Sequence, residues 1–286
     1  MTDGVLLFCY NNRQVDYAKL SIIAGGLAKK YLEKPVSIVT DTSTIEWMKT
    51  SKIYDKATEI FDKIIETERP TLENNRRLHN GKEAYVVPFV NQNRYRAYEL
   101  TPYHRTLLID SDYLIFDNSL NEYFEIDQSV LIGESILDFF SDTRIGYLDK
   151  NISDSSIKML WATTCLFTKN NESKIFFDLV KTIHTNYSVF AHLFRFDDRQ
   201  FRNDIAFSVA DHIMSNFTVN KKYRLPPVLS TLDKDIVHHC DVNGIKLLID
   251  RTLTQDYFYA GSKNKNIHIM NKISLVDFYE NMVEQL

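Results

Sequence analysis

Two carboxylates one residue apart, Asp110 and Asp112, sit between the apolar runs Leu107-Leu108-Ile109 and Tyr113-Leu114-Ile115. The D-x-D pattern alone is weak, because a chain with 38 Asp and Glu holds about one by chance. A second copy is present, Asp233-Lys234-Asp235. It follows Pro226-Pro227 in a polar stretch and reads as a surface loop whose charges are solvated. The first pair differs in its neighbours. Carboxylates placed between buried strands lose water, and two like charges side by side raise the cost. A divalent cation resolves both problems by replacing solvent and cancelling the repulsion. The alternative is a solvent-exposed Asp-Ser-Asp turn. Among eight histidines, His268 lies in the apolar stretch Ile267-His268-Ile269 and is the better third ligand. His238 and His239 are adjacent, so on a strand at most one could serve.

The elements that must position these groups are legible in part. Val5–Tyr10 is a short apolar run ending at Asn11-Asn12 and reads as a buried strand. Tyr17, Leu20, Ile23, Leu27 and Tyr31 recur at helical spacing, and Lys34-Pro35 stops them. Val36–Val39 follows as a second strand, ending at Thr40-Asp41. Strand, helix and strand at this spacing form a βαβ unit with a parallel sheet. Gly25-Gly26 falls mid-helix, so it is no phosphate loop. Residues 45–48 suggest a short helix, 57–65 a strand, and 66–83 loops. Residues 94–100 suggest a helix before a third buried strand at 106–109, with 113–116 continuing it beyond the acids. Later runs suggest a strand at 161–167, helices through Ile175–Tyr187 and Ile205–Ile213, a strand-like stretch at 266–272 and a short helix from Ser274. The C-terminal ends of parallel strands are where open α/β sheets bind ligands, which is where the acidic pair falls.

Composition sets the outer bounds. The 286 residues are 44% hydrophobic and 25% charged, which excludes a disordered tail and a small disulfide scaffold. The net charge of −4 argues against coating nucleic acid by bulk charge. Cys9, Cys165 and Cys240 are widely spaced and odd in number, which suits a reducing, cytoplasmic setting. The longest apolar runs fall far short of the roughly 20 residues that span a bilayer, so no membrane partner is expected.

The strand start at Val5–Tyr10, the strand end at Thr40-Asp41, and Leu108-Ile109-Asp110-Ser111-Asp112 together resemble the GT-A glycosyltransferases. The glycogenin and galactosyltransferase-like group is most similar, and small viral and bacteriophage glycosyltransferases also look alike. The resemblance covers residues 4–275. It implies an α/β, Rossmann-like fold with a mixed, mainly parallel sheet flanked by helices, and one domain over 1–286. Residues 1–118 would be its donor-binding half. Residues 119–286 would be the acceptor side with the C-terminal metal-ligand segment.

By the same resemblance, Asp110, Asp112 and His268 bind Mn²⁺, with Mg²⁺ as a substitute, and Lys272 touches the diphosphate of a UDP-sugar. Here Lys272 follows the histidine at four residues without the glycine of the glycogenin-like group. Tyr10, Asn11, Asp41, Arg96 and Ser111 become donor contacts. Arg94 reads as a solvated helix face, with a reach toward the sugar or phosphate as the alternative that the resemblance implies. Asp204 is the expected catalytic carboxylate, with Asn203 second and Asp197 and Asp198 as rivals. First-turn complement of a helix dipole is the alternative for Asp204. Similarity to the glycogenin-like group favours retention of configuration. The acceptor stays open between a glycan, a protein, a small molecule and a hydroxymethylated base of duplex DNA, the last by analogy with viral relatives acting in a host cytoplasm. Aromatic residues in 133–161, among them Phe139, Phe140, Tyr147 and Trp161, fit an acceptor face, as does Arg144. Basic clusters at Arg94/Arg96/Arg105, Lys221/Lys222/Arg224 and Lys263/Lys265 read as an ordinary mixed surface, with a phosphate-tracking groove as the alternative. A nucleotidyltransferase and a catalytically silent binding module are the rival readings.

Overall fold

The computed structural model describes residues 2–12, 14–70, 74–79, 84–140, 150–153, 157–197, 200–218, 223–250 and 256–286. The chain opens with β1 (Asp3–Phe8), α1 (Tyr17–Leu32) and β2 (Val36–Thr40). Next come α2 (Thr42–Thr50), α3 (Tyr54–Ile60), β3 (Lys63–Glu66), and the hairpin β4 (Asn74–His79) and β5 (Ala84–Phe89). A 3-10 turn at Arg94–Arg96 runs into α4 (Ala97–Leu100), followed by β6 (Arg105–Ile109) and β7 (Tyr113–Leu114). After a 3-10 segment at Ser119–Glu125 come β8 (Val130–Gly133), β9 (Ile136–Asp138), β10 (Asn151–Ile152), β11 (Ile157–Lys158) and β12 (Trp161–Thr168). Three helices follow, α5 (Asn171–Thr185), α6 (Tyr187–Phe194) and α7 (Asn203–Met214). The last strands are β13 (Val228–Ser230), β14 (Ile236–Asp241), β15 (Gly244–Asp250), β16 (Tyr257–Lys263) and β17 (Ile267–His268). The chain closes with α8 (Lys272–Val276) and α9 (Tyr279–Val283).

The central sheet has the order β3-β2-β1-β6-β12-β8. Pairing is parallel from β3 through β6, and only β12 runs against its neighbours β6 and β8. The architecture is therefore mixed α/β with a mainly parallel central sheet flanked by helices, as the resemblance implies. Every residue of β1 from Gly4 to Phe8 is buried, which is why that run is continuously apolar instead of alternating. Helix α1 begins where the Asp16 side chain accepts from the Lys19 N–H and ends at Glu33, which adopts φ 54°. A Cβ on Gly25 would stand 2.5 Å from the Phe61 ring, so glycine there serves close helix packing. Truncating a core residue such as Leu7, with 0% exposure, to alanine costs about 2–5 kcal/mol.

A second sheet, β7-β17-β13-β9, carries the site. Residues 113–116, expected to continue β6, instead change sheets. The Tyr113 N–H donates to the Asp110 carbonyl at 3.1 Å, and the resulting turn sends β7 away to pair antiparallel with β17. Two other expectations are corrected. Residues 57–65 are not one strand, because Tyr54, Ala57 and Ile60 share a helical face in α3 before β3 begins. Within 66–83, expected as loops, 74–79 form a strand of the β4–β5 hairpin. Residues 71–73 and 80–83 lie outside the described residues. Among the described residues no helix is long and apolar enough to cross a membrane. All three cysteines are free and buried, and burial pushes each thiol up to about 12.

Candidate functional site

Asp110 follows the last residue of β6, so its position is fixed by the central sheet. Its N–H donates to the Thr163 carbonyl of β12 at 3.1 Å. Asp112, two residues on, begins the second sheet. The Ile269 N–H donates to its carbonyl at 2.9 Å, and Tyr113 pairs with His268 across β7 and β17. On the other side of β17 the His268 carbonyl accepts from Thr231 N–H at 3.0 Å. The acidic turn and the late histidine, far apart in sequence, are thus clamped by backbone hydrogen bonds.

These elements bring one ligand atom each from Asp110, Asp112 and His268 within 4.8 Å of one another. His268 Nε2 lies 3.2 Å from Asp112 Oδ1. Lys272, at the start of α8, contacts Asp112 Oδ2. Arg94 donates from Nη1 to Asp110 Oδ1 at 2.9 Å, and its Nη2 is buried without a partner. Burial raises the Asp110 pKa, with the Arg94 charge opposing and Asp112 adding to the rise. Burial pushes Asp112 the same way, but the charges of Lys272 and His268 outweigh it and hold the carboxyl well below the usual range. Two carboxylates and an imidazole are a donor set that suits Mn²⁺ or Mg²⁺, so the residues present fit a divalent cation.

All of these groups line one cavity of about 440 Å³. Tyr10, Ser111, Asn203 and Asp204 line it too, among the expected site residues. Tyr10 is buried. Its hydroxyl accepts from Asn93 Nδ2 at 2.8 Å and meets Thr67 Oγ1 at 3.3 Å. Three expected donor contacts are not brought to the cavity wall. Asp41 caps α2, accepting from Thr44 N–H at 2.8 Å, and pairs with Arg69 at 2.7 Å. The Asn11 side chain accepts from the Ala18 N–H at 3.3 Å, and its carbonyl accepts from Arg69. Arg96 pairs with Glu99 at 3.7 Å on the same short helical segment.

Arg94, read from sequence as a solvated face, is only 2% exposed and belongs to the site. The 3-10 turn buries Arg94, whereas Arg96 in the same turn is half-buried and pairs with Glu99.

Asn203 and Asp204 open α7. Asp204 Oδ1 accepts from the Ala162 N–H of β12 at 2.9 Å, and Oδ2 lies 3.3 Å from Arg202. Both of its oxygens are therefore engaged. Asn203 donates to the Asn91 carbonyl at 2.9 Å, while its Oδ1 is buried without a partner. Asp197 is exposed, and Asp198 lies outside the described residues. The second acidic pair is also corrected. Asp235 is 1% exposed, because its carboxylate accepts from the N–H groups of Leu232 and Asp250 at 2.8 and 3.0 Å. Asp233 lines the cavity.

Sequence reasoning missed further wall residues. Arg202 stacks over Trp161 at 5.6 Å, and the Trp161 indole N–H is buried without an acceptor. Asn91, Gln200 and Thr231 carry no signal of their own, since each is an ordinary polar residue of a loop. Arg105 and Arg224 are spent on internal partners, Arg105 on the Phe124 and Ile126 carbonyls and Arg224 on Asp211. Arg144, Tyr147, Lys221 and Lys222 lie outside the described residues.

No protein-family model and no curated protein sequence matches the chain. Solved structures similar to it are glycosyltransferases by name. The apo form of glycosyltransferase GlyE of Streptococcus pneumoniae TIGR4 is 14% identical over 75% of this chain, with a TM-score of 0.39. This chain spans only 43% of that protein's length. Galactosyltransferase LgtC, solved with donor and acceptor sugar analogs, is 14% identical over 73% of this chain and 70% of its own, with a TM-score of 0.43. Mouse xyloside xylosyltransferase 1 is 11% identical over 80% and 85%, with a TM-score of 0.42.

Proposed function

We propose that the chain is a metal-dependent glycosyltransferase that moves a sugar from a nucleotide diphosphate sugar, with UDP-sugar the expected donor, to an acceptor hydroxyl. The observation that carries the reading is the convergence of Asp110, Asp112 and His268 on one cavity at the C-terminal end of β6, with Arg94 and Lys272 beside them. Asp110, Asp112 and His268 would hold Mn²⁺ or Mg²⁺. When bound, the ion supplies Lewis-acid stabilisation of the charge that develops on a departing diphosphate.

The remaining roles belong to the chain's own groups. Lys272 and Arg94 bring positive charge to the diphosphate side of the cavity. Ser111 and Tyr10 bound the donor between β1 and the acidic turn. Asn203 is favoured over Asp204 as the group facing the anomeric centre. Its amide oxygen is unengaged, whereas the Asp204 carboxylate already holds a backbone amide and Arg202. Burial of Trp161 and Phe8 at the wall excludes water from the reacting bond. For the acceptor, Phe140 is half exposed beyond β9 and packs on Phe258 at 4.5 Å, a surface on which a sugar ring or a base could stack.

Incubation with a panel of nucleotide sugars and Mn²⁺ tests the reading. Release of nucleoside diphosphate is expected. Release of pyrophosphate would replace the proposal with nucleotidyl transfer, and no turnover with any donor would leave only a binding module.

A further inference from the structure

The antiparallel meander β14-β15-β16 turns one face inward and leaves the other in water. Val237, Cys240, Ile245, Leu247 and Ile249 are buried on the inner face. Hydrogen bonds fasten that sheet to the closing helices. The Val237 N–H donates to Ser274 Oγ at 3.0 Å, and Asn281 Nδ2 donates to the Cys240 carbonyl at 2.8 Å. The alternation of strand side chains then sets Tyr257, Tyr259, Gly261 and Lys263 outward along β16, with Lys246 on β15. His238 is exposed at the register shift in β14.

These six are the exposed residues of the three strands, and there is no carboxylate among them, in a chain whose net charge is −4. The nearest acids are engaged elsewhere. Asp250 is buried and lies 4.0 Å from Lys234, and Asp241 meets His239 at 3.3 Å. Tyr259 is 67% exposed and Tyr257 41% exposed. Two residues apart on an extended strand, their side chains stand about 7 Å from each other. The His238 ring reaches across β15 to the Tyr259 ring, with centroids 4.8 Å apart. A Cβ on Gly261 would meet no atom nearer than 3.5 Å, so packing does not require glycine there, and its missing side chain keeps the face low between Tyr259 and Lys263.

Rings and ammonium groups on one flat face suit a ligand that repeats both π-faces and negative charges. A neutral glycan gives the lysines nothing to pair with, and an acidic peptide gives the tyrosines nothing to stack on. A duplex keeps its base faces inside its own stack. We propose that the outer face of β14-β15-β16 binds single-stranded nucleic acid, with bases stacked on Tyr257 and Tyr259 and phosphates held by Lys246 and Lys263. The inference does not depend on the reading of the cavity, because none of these residues lines it.

Fluorescence anisotropy of the full chain with a labelled oligothymidylate of about 15 nucleotides tests it. Two phosphate contacts at about 0.7 each make log K fall by about 1.4 for each tenfold rise in salt. Lys246→Gln halves that slope to about 0.7. Tyr259→Ala weakens binding about tenfold, and Tyr259→Phe, which keeps the ring, does not. Saturating UDP with Mn²⁺ leaves the oligonucleotide bound. Circular dichroism checks that Tyr259→Ala is folded, and if it is not, the salt slopes of the wild type and Lys246→Gln decide.

Failure to bind the oligonucleotide overturns the inference, as does unchanged affinity in a folded Tyr259→Ala. Displacement by UDP with Mn²⁺ overturns it by putting the strand in the cavity. Displacement by maltoheptaose, a neutral oligosaccharide, overturns it in favour of a glycan. A duplex that binds as tightly as the single strand removes the stacking, and the inference with it.

Discussion

The chain contains the same tripeptide pattern twice, and the two copies have different work. Around Asp110-Ser111-Asp112 the carboxylates face side chains: a guanidinium, an ammonium and an imidazole. In Asp233-Lys234-Asp235 the buried acid, Asp235, faces backbone N–H groups of Leu232 and Asp250. An acid that accepts from amides holds a loop in shape. An acid surrounded by side-chain cations and an imidazole holds charge that a ligand can exchange. Motif and burial are shared, so the chemistry of the partners is what separates them.

The sharpest way to break this contrast is Asp112→Asn. Mn²⁺-dependent binding of UDP should disappear in calorimetry while the circular dichroism spectrum is kept, and undiminished binding would refute the metal assignment. Asp235→Ala should do the reverse. Loss of an acceptor for two buried N–H groups should lower stability by about 2 kcal/mol in urea denaturation, with Mn²⁺ affinity unchanged. Lost metal affinity at full stability would erase the distinction between the two copies. For His268→Ala, Mn²⁺ affinity should fall about tenfold, as for loss of one ligand, and an unaltered titration would make the imidazole structural.

The smallest effect belongs to a third acid, Asp41, which also serves the backbone. Burial pushes its carboxyl up, but hydrogen bonds from Thr44 and Arg69 more than reverse that, so its pKa is lowered on folding. Its contribution, about 1 kcal/mol as a helix cap, is therefore complete above the ordinary carboxylate range and lost as pH falls through the folded value. The stability gap between wild type and Asp41→Asn should close in acid. A gap that persists there would mean that the charge is irrelevant.

Much of this was legible in the sequence, and the failures have physical causes. β1, α1, β2 and β6 were readable because parallel strands buried on both faces need unbroken apolar runs. The acidic pair stood out against those runs. Arg94 did not, because a three-residue helical turn has no periodicity from which to infer the face, and Arg96 beside it is equally basic. Asp235 was misread because its partners are backbone amides, which leave no trace in side-chain composition. The change of sheets after Asp110 was hidden because Tyr113–Phe116 is as apolar as the strand it seemed to prolong, and only the hydrogen-bonded turn redirects it.

The clasp between β7 and β17 also sets a timetable. Both acids are synthesised long before the imidazole of His268 and the ammonium of Lys272, which follow them on β17 and α8. A nascent chain can align β1, β2, β3 and β6 well before then, with the two carboxylates in place and Arg94 already against one of them. On this account a nascent chain completes the set of Asp110, Asp112 and His268 only once β17 has paired with β7. Ribosome-stalled chains that captured UDP before residue 268 was free would show the timetable to be wrong.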